Sequence, residues 1–204
     1  MGKNKFVNFF LAIATMWWVF WSNLRFKKSV KHISVRDEDL IDGYDPVTVR
    51  KLCSTIYKKF KYTPDGFDKL WDAITPPTQN YKDYTEGEVR DDCDGFHSLL
   101  YYFLSYGCDK GEEFLKVGHI YLLSVCAKGG GHCVLVYEYN HKWHVIDYKT
   151  VYKGFNTLEE AVADYNKDYV VKYKDIKGDV FYNGLVEYDF GKEKFKRVRF
   201  KDVK

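Results

Sequence analysis

The sequence lacks a marked excess of charge of either sign, since 32 basic residues stand against 29 acidic ones for a formal net charge of +3. A balance this even gives no general attraction to phosphate backbones, so no nucleic-acid partner is expected. The chain also lacks an internal repeat and a low-complexity tract, which excludes a solenoid and a chain made mainly of linker.

The sequence also lacks a disulfide framework. Its cysteines are Cys53, Cys93, Cys108, Cys126 and Cys133, an odd number without regular spacing. This pattern argues against a small secreted scaffold stapled by disulfides and leaves at least one thiol free. It favours a reducing compartment.

Apolar and aromatic residues are plentiful. The 204 residues are 46% hydrophobic and 19% aromatic, enough for one domain with a sizeable core. The composition changes near residue 37. We therefore predict a hydrophobic N-terminal helix with a basic linker over residues 1–36, and one globular domain over residues 37–204.

The N-terminal segment is typical of membrane-associated helices. Residues 6–21 read FVNFFLAIATMWWVFW, basic residues flank the run, and no small-residue cleavage site follows it. Asn8, Thr15 and Ser22 recur every seven residues and form one narrow polar stripe. Three interpretations stay open: a single-pass anchor, an in-plane interfacial helix, and a helix buried against protein.

Of these, we favour the single-pass anchor, and we predict membrane association through residues 6–24, single-pass or interfacial, with the side of the membrane undetermined. The sequence after the basic linker then predicts helices. Asp45 followed by Pro46 indicates a helix start. Its core face is predicted to hold Val49, Leu52, Cys53, Ile56, Tyr57 and Phe60. A shorter helix (Phe67 to Ile74) and a polar loop over residues 78–90 lead to Cys93.

Residues 91–100 read DDCDGFHSLL and place a thiol among three aspartates. Carboxylates raise the pKa of a neighbouring thiol and weaken it as a nucleophile. Helical spacing after Cys93 predicts that this residue opens a helix with Asp92 as N-cap, where the orphan N–H groups and the dipole favour a thiolate. Asp91 and Asp94 are expected to point to solvent.

Beyond a predicted helix end at Gly107, the pattern changes to that of strands. We predict antiparallel strands over residues 119–127, 132–139 and 142–148, with a turn at 128–131. Thr157 and Glu160 form a capping box for a helix to about Tyr165. The segments DYVVKYK, DVFYN, LVEYDF and KFKRVRF predict further strands.

Strand alternation places two more candidate residues beside the thiol. His132 shares a face with Val134 and Val136, and Asp147 is a carboxylate on an otherwise apolar strand row that needs a partner. If the two strands pair across the turn at residues 140–141, His132 and Asp147 lie close together. Cys93 as nucleophile, His132 as acid/base and Asp147 as the orienting carboxylate form the set that a thiolate enzyme requires.

The segments TPPTQNYKDYTEGEVRDDCDGFHSLLYYFLSYG (75–107) and GGGHCVLVYEYNHKWHVIDY (131–148) resemble the transglutaminase-like superfamily, and are especially similar to the bacterial transglutaminase-like cysteine peptidases. The resemblance covers roughly residues 65–165. It implies a papain-like α+β fold in which N-terminal helices pack on an antiparallel sheet, a Cys93–His132–Asp147 triad, a protein or peptide substrate, no cofactor and no metal.

The resemblance leaves the second substrate open: water makes a peptidase or amidase, which the closer relatives favour, and an amine makes a cross-linking transglutaminase. Arg90 and Asp91 stand where many relatives have a glycine, and the side chain that completes the oxyanion hole does not align. Tyr84 and Gln79 are candidates beside the backbone N–H of Cys93.

Other interpretations compete. Cys93 on an apolar stripe could be a buried structural thiol, and His97, one turn along, is a rival base. His144 is expected at the surface or in a second layer, and His119 in a structural role. The remaining alternatives are a Cys126–Cys133 pair or metal site, a calcium loop at Asp91–Asp94, a phosphate-binding C-terminal tail, and an idle binding or structural protein with the same fold.

Overall fold

The computed structural model describes residues 3–26, 34–63, 73–106, 117–174 and 176–203, and of residues 3–12 and 117 the backbone alone. Its helices are α1 (Lys3–Arg25), α2 (Pro46–Lys59), α3 (Pro77–Glu86), α4 (Cys93–Tyr106) and α5 (Leu158–Lys172). Its strands are β1 (Phe60–Tyr62), β2 (Val89–Asp91), β3 (Val117–Ala127), β4 (Gly130–Tyr139), β5 (Lys142–Asp147), β6 (Thr150–Val151), β7 (Val180–Asp189) and β8 (Lys194–Val198).

The centre of the molecule is a six-stranded antiparallel sheet in the order β6-β5-β4-β3-β7-β8, beside a two-stranded parallel sheet of β1 and β2. Successive side chains point to opposite faces, so Leu122 belongs to one core and Leu123 to the other. Helices α2, α3 and α4 pack on the first face, and α5 packs on the second. The predicted α+β class, with helices on an antiparallel sheet, is confirmed.

Helix α2 begins where the sequence indicates. The Asp45 carboxylate accepts the N–H groups of Val47 and Thr48, and Pro46 occupies the first turn. Cys53 is fully buried as predicted, whereas Tyr57 is 42% exposed, although its ring contacts that of the buried Phe96.

The predicted polar loop over residues 78–90 is wrong. The segment holds α3 and β2, and α3 begins at Pro77, whose missing N–H is no loss at a first helical position. Although PTQNYKDYTE is polar in composition, Tyr81 and Tyr84 lie three residues apart on one helix face and are both buried. Tyrosine therefore supplies the apolar face that aliphatic residues supply in most helices.

The C-terminal third also differs from prediction. The capping box of Thr157 and Glu160 is present, but α5 continues past Tyr165 to Lys172, so most of the DYVVKYK segment is helical instead of a strand. The two predicted strands DVFYN and LVEYDF form one continuous strand, β7, through Gly184. The predicted turn at 128–131 is confined to residues 128–129, and β4 begins at Gly130.

Helix α1 lies against β7 and β8 with Thr15 and Ser22 on its inward face. The side chains of Thr15 and Ser22 are buried; Thr15 Oγ1 hydrogen-bonds to the Tyr182 hydroxyl, and Ser22 Oγ accepts the Ile74 N–H at 2.9 Å. Asn23 donates to Phe195 O and accepts Phe195 N–H, which covers the open edge of β8. Among the residues that the structure describes, no helix is both long and apolar enough to cross a bilayer.

Two predictions fall outside the described residues. The short helix over residues 67–74 lies largely within residues 64–72, and the helix end at Gly107 lies within residues 107–116.

Candidate active site

The start of α4 is inserted into the main sheet at the point where β4 and β5 separate. Pairing between the two strands ends at Leu135 and Ile146, and the same register continued would bring Cys133 opposite Tyr148. Instead, the Cys133 N–H donates to Cys93 Sγ at 3.4 Å, and the Tyr148 N–H donates to His97 Nε2 at 3.1 Å. The first turn of α4 thus takes the place of the next residue pair between β4 and β5. It brings the Cys93 thiol beside Cys133, near the start of β4.

The aspartates around Cys93 organise the start of the helix. Asp92 Oδ1 accepts the Asp94 N–H at 3.1 Å, and Asp92 O accepts the Phe96 N–H, which confirms Asp92 as the N-cap. Asp91 accepts the Asp92 N–H. The expectation that Asp94 points to solvent is wrong, because this residue is 2% exposed.

The side-chain ligand atoms of Asp92, Cys93 and Asp94 lie within 4.8 Å of one another. Because the Asp92 carboxylate is already bonded to a backbone N–H of the helix, capping accounts for this cluster without a cation. We therefore favour helix capping over a calcium loop as the account of this cluster.

His132 and Asp147 meet as the strand pattern predicts. His132 Nε2 lies 2.9 Å from Asp147 Oδ1, and the Asp147 side chain is fully buried. Since a carboxylate accepts, Nε2 carries the hydrogen, and Nδ1 is the ring nitrogen left for proton exchange. The His132 ring stacks on Tyr169 of α5 with centroids 5.9 Å apart and planes 2° from parallel.

Asp147 has three further partners, none of which the strand pattern predicted. Lys172 Nζ lies 2.6 Å from Oδ2, and the hydroxyls of Tyr165 and Tyr173 donate to the carboxylate at 3.1–3.3 Å. Tyr173 also lies 3.1 Å from His132 Nε2. Lys172 and Tyr173 come from the end of α5 and the residue after it, beyond the predicted helix end.

The charge state of this cluster follows from its contacts. Burial alone opposes ionisation of Asp147, but the hydrogen bond and charge of His132, together with His97 and Lys172, outweigh it and hold the pKa of this carboxyl well below its usual range. Burial and the charge of Asp147 raise the pKa of Tyr165 and Tyr173, so both hydroxyls stay protonated and donate.

His97, the rival base, has both ring nitrogens engaged. Nδ1 donates to Cys93 O at 2.6 Å, and Nε2 accepts the Tyr148 N–H. Burial lowers the pKa of His97 to about 4, with the charge of His132 acting in the same direction. His97 is a neutral bridge between α4 and the chain that follows β5, and it has no nitrogen left to exchange a proton with Cys93.

The candidate oxyanion side chains have other partners. Gln79 Nε2 donates to Asp83 on its own helix, and the Tyr84 ring packs on Tyr81 and Phe103. Neither contact involves Cys93. Asn80, which lies between Gln79 and Tyr84 in the sequence, is buried and donates to Gly95 O at 3.1 Å, which ties α3 to the first turn of α4.

The other two histidines on the central strands are structural. His144 is buried, so the prediction of a surface position is wrong and that of a second-layer position agrees with its burial. The His144 ring stacks on Tyr137. His119 stacks on Tyr121 and Trp143, in the structural role that the sequence predicted.

The cysteine-pair interpretation has no support. Across β3 and β4, Cys126 is opposite Gly131 and Cys133 is opposite Ser124, so the two cysteines do not face each other. Among the described residues, Cys53, Cys93, Cys126 and Cys133 form no disulfide, and Cys108 lies outside those residues.

Comparison of the chain with protein-family models, with curated proteins and with solved structures gives no significant match. What the site can do is therefore derived from its residues and their geometry.

Proposed function

We propose that the protein is a thiol-dependent acyl-transfer enzyme of the transglutaminase-like type, with a papain-like arrangement of its catalytic helix and sheet. The observation that carries the proposal is that the His132–Asp147 pair and the Cys93 thiol lie at adjacent residues of β4. His132 bonds to the buried Asp147 at 2.9 Å, and the next backbone N–H, that of Cys133, donates to Cys93 Sγ at 3.4 Å.

This arrangement supports a thiolate at Cys93 in two ways. The thiol stands at the first position of α4, where the helix dipole favours negative charge, and it accepts a backbone N–H, a bond that favours the charged form. Of the neighbouring aspartates, Asp92 acts as the helix cap and so strengthens the helix end that favours the thiolate.

The reaction then has two half-reactions. Cys93 gives its thiol proton to His132 Nδ1, and the resulting thiolate attacks an amide carbonyl carbon, so that an S–C bond forms and negative charge collects on the carbonyl oxygen. Collapse of this intermediate breaks the C–N bond, and His132 Nδ1 gives its proton to the leaving amine. Water or an amine next attacks the thioester and returns a proton to Nδ1, and the thiolate leaves.

Asp147 acts through His132 in this scheme. Its ionised carboxylate fixes the Nε2–H tautomer and stabilises the imidazolium during each transfer, which is the role of the third member in cysteine and serine triads. The substrate class is a peptide bond or side-chain amide, and the cycle needs no metal or organic cofactor.

The first test maps the reactive thiol. Brief alkylation of the full chain by iodoacetamide at about neutral pH, followed by peptide mass mapping, should modify Cys93 first, because only the thiolate reacts. Cys93→Ala should remove this fast modification, and Cys126→Ala, a half-buried cysteine on β3, should leave it intact. Fast labelling of Cys126 or Cys133 in place of Cys93 would refute the assignment.

A second test separates the acyl acceptors. With casein as substrate, a hydrolase releases new amino termini, whereas a transferase incorporates a fluorescent primary amine. We expect hydrolysis to dominate, and both signals should vanish in Cys93→Ala. Alkylation of Cys93 without either signal in the presence of casein, gelatin and cell-wall peptides would favour the idle binding protein.

A further inference from the structure

Helix α1 carries apolar side chains on its outward face as well as on its domain-facing side, where Trp18 and Val19 pack on the core; a helix on the surface of a soluble domain has a polar outward face. Its buried face carries the polar Thr15 and Ser22, at 4% and 0% exposure. Its outward face carries large apolar residues at the helical spacing i, i+3, i+4 and i+7. These are Ile13, Met16, Trp17 and Phe20, which are 42%, 56%, 49% and 53% exposed.

The orientation is fixed by hydrogen bonds. Thr15 bonds to Tyr182, Ser22 accepts from Ile74, and Asn23 makes both bonds to the backbone of Phe195. Turning the helix to bury the outward stripe would break all of these bonds. The apolar face is thus held outward by the fold.

Charge indicates what this face contacts. Residues 1–36 contain seven basic and no acidic residues, whereas the rest of the chain contains 25 basic and 29 acidic residues. Arg25, in the last turn of α1, is exposed. Apolar side chains with tryptophan on one helix face, in a segment of uniformly positive charge, match an interface of acyl chains and anionic headgroups.

We propose that α1 binds the protein in plane to an anionic bilayer through the outward apolar face defined by Ile13, Met16, Trp17 and Phe20, while its polar face stays docked on β7 and β8. This binding is independent of the proposed chemistry at Cys93. It selects the in-plane interpretation of the N-terminal segment, because the helix keeps its contacts with the domain when the bilayer is bound.

Sedimentation of the full chain with vesicles tests the proposal. Vesicles of phosphatidylcholine with about one-third phosphatidylglycerol should carry the protein down, and pure phosphatidylcholine should carry down much less. Phe20→Ser and Trp17→Ser should each lower the partition coefficient about tenfold, because each removes a large apolar side chain from the interface. Val47→Ser and Val171→Ser, at exposed apolar positions elsewhere, should change nothing.

Two controls separate a loss of membrane binding from misfolding and from any effect of the thiol. Circular dichroism should show that the α1 variants stay folded, and Cys93→Ala should bind vesicles like the unaltered chain. Protein left in the supernatant with anionic vesicles, or Phe20→Ser binding as tightly as the unaltered chain, would overturn the proposal. So would a lipid-free dimer that Phe20→Ser dissociates, or resistance to extraction by alkaline carbonate, which marks a membrane-spanning helix.

Discussion

The Asp147 carboxylate has several polar partners in the site. Besides His132, it bonds to Lys172, Tyr165 and Tyr173, all on or next to α5. An orienting carboxylate needs one partner in the site to fix a tautomer. The additional contacts lock its position and, through Lys172, offset part of its charge, so Lys172 is a positioning residue that moderates how strongly Asp147 stabilises the imidazolium.

Replacing Lys172 therefore changes the pH dependence of catalysis. In Lys172→Gln, the Asp147 carboxylate loses the neighbouring positive charge that offsets it, so it stabilises positive charge on the His132 ring more strongly. The alkaline limb of kcat/KM against pH should shift to higher pH by about half a unit. The shift is small because Lys172 is partly exposed and solvent screens its charge. Lys172→Arg keeps the charge and should keep the profile. An unchanged or downward-shifted alkaline limb in Lys172→Gln would show that Lys172 has only a structural role.

His97 links protonation to stability. Its pKa is lowered from 6.5 to about 4 in the folded protein, so between these values the unfolded chain binds a proton that the folded chain does not. By linkage, the free energy of unfolding falls as pH drops through this window, by up to about 3 kcal/mol from this group. Above the window His97 adds no pH dependence.

Urea unfolding at a series of pH values measures this effect. His97→Gln cannot take up the proton, so the loss of stability between about pH 6.5 and pH 4 should be smaller in the variant than in the unaltered chain. The variant should also be less stable at neutral pH, since the bonds to Cys93 O and Tyr148 N are altered. Equal slopes in the two proteins would contradict a neutral buried His97.

Strand alternation was enough to predict that His132 and Asp147 meet, because both lie on one face of neighbouring strands. It was not enough to find Lys172 or Tyr173. Their contact with Asp147 depends on how far α5 extends along the second face of the sheet, and the run of tyrosine and valine after Tyr165 is typical of a strand.

Among the elements, α4 and its junction with the sheet define the site. The sequence predicted that Cys93 opens a helix. It did not predict that the first turn of this helix takes the place of a residue pair between β4 and β5. That insertion is a long-range packing event, and the residues whose backbone takes part, Cys133 and Tyr148, carry no signal for it in their side chains. The helix is also buried throughout Asp94–Ser105, so protein surrounds it on all sides.

At Gly95, the first turn of α4 packs closely against Asp91 of β2. A Cβ there would lie 2.1 Å from Asp91 Cγ and 2.3 Å from Asp91 Cβ. Gly95→Ala should therefore displace β2 or the first turn of α4. We expect the overlap to cost about 1–3 kcal/mol, offset by about 1 kcal/mol from the better helix propensity of alanine, and Cys93 alkylation to slow.

Gly130→Ala is the matched control, since its Cβ would make an ordinary contact at 3.5 Å with Ile176. Chemical denaturation and the rate of thiol alkylation, measured on both variants, test this prediction. A Gly95→Ala protein as stable and as reactive as the Gly130→Ala protein would show that Asp91 does not confine the start of α4.

At the scale of the whole molecule, the site joins the two layers of helices across the end of the sheet. Helix α4 brings Cys93 from one face, α5 brings Lys172 from the other, and β4 and β5 supply His132 and Asp147 between them. Periodicity predicted the central strands, and the resemblance to the transglutaminase-like superfamily implied the α+β class. The number of helices on each face and the docking of α1 through Thr15 and Ser22 depend on tertiary contacts, which no local pattern encodes.

The proposed enzyme depends on Cys93 being a nucleophile whose thiolate is supported by His132 and Asp147. The rate of Cys93 alkylation by iodoacetamide, followed against pH by peptide mapping, tests this dependence most directly. In the unaltered chain, we expect the midpoint of the pH profile to lie well below about 8.5, the pKa that is typical of a free thiol. In His132→Ala, the midpoint should shift to that pH or above. Profiles that coincide near 8.5 in both proteins would show that the thiol has no support from His132.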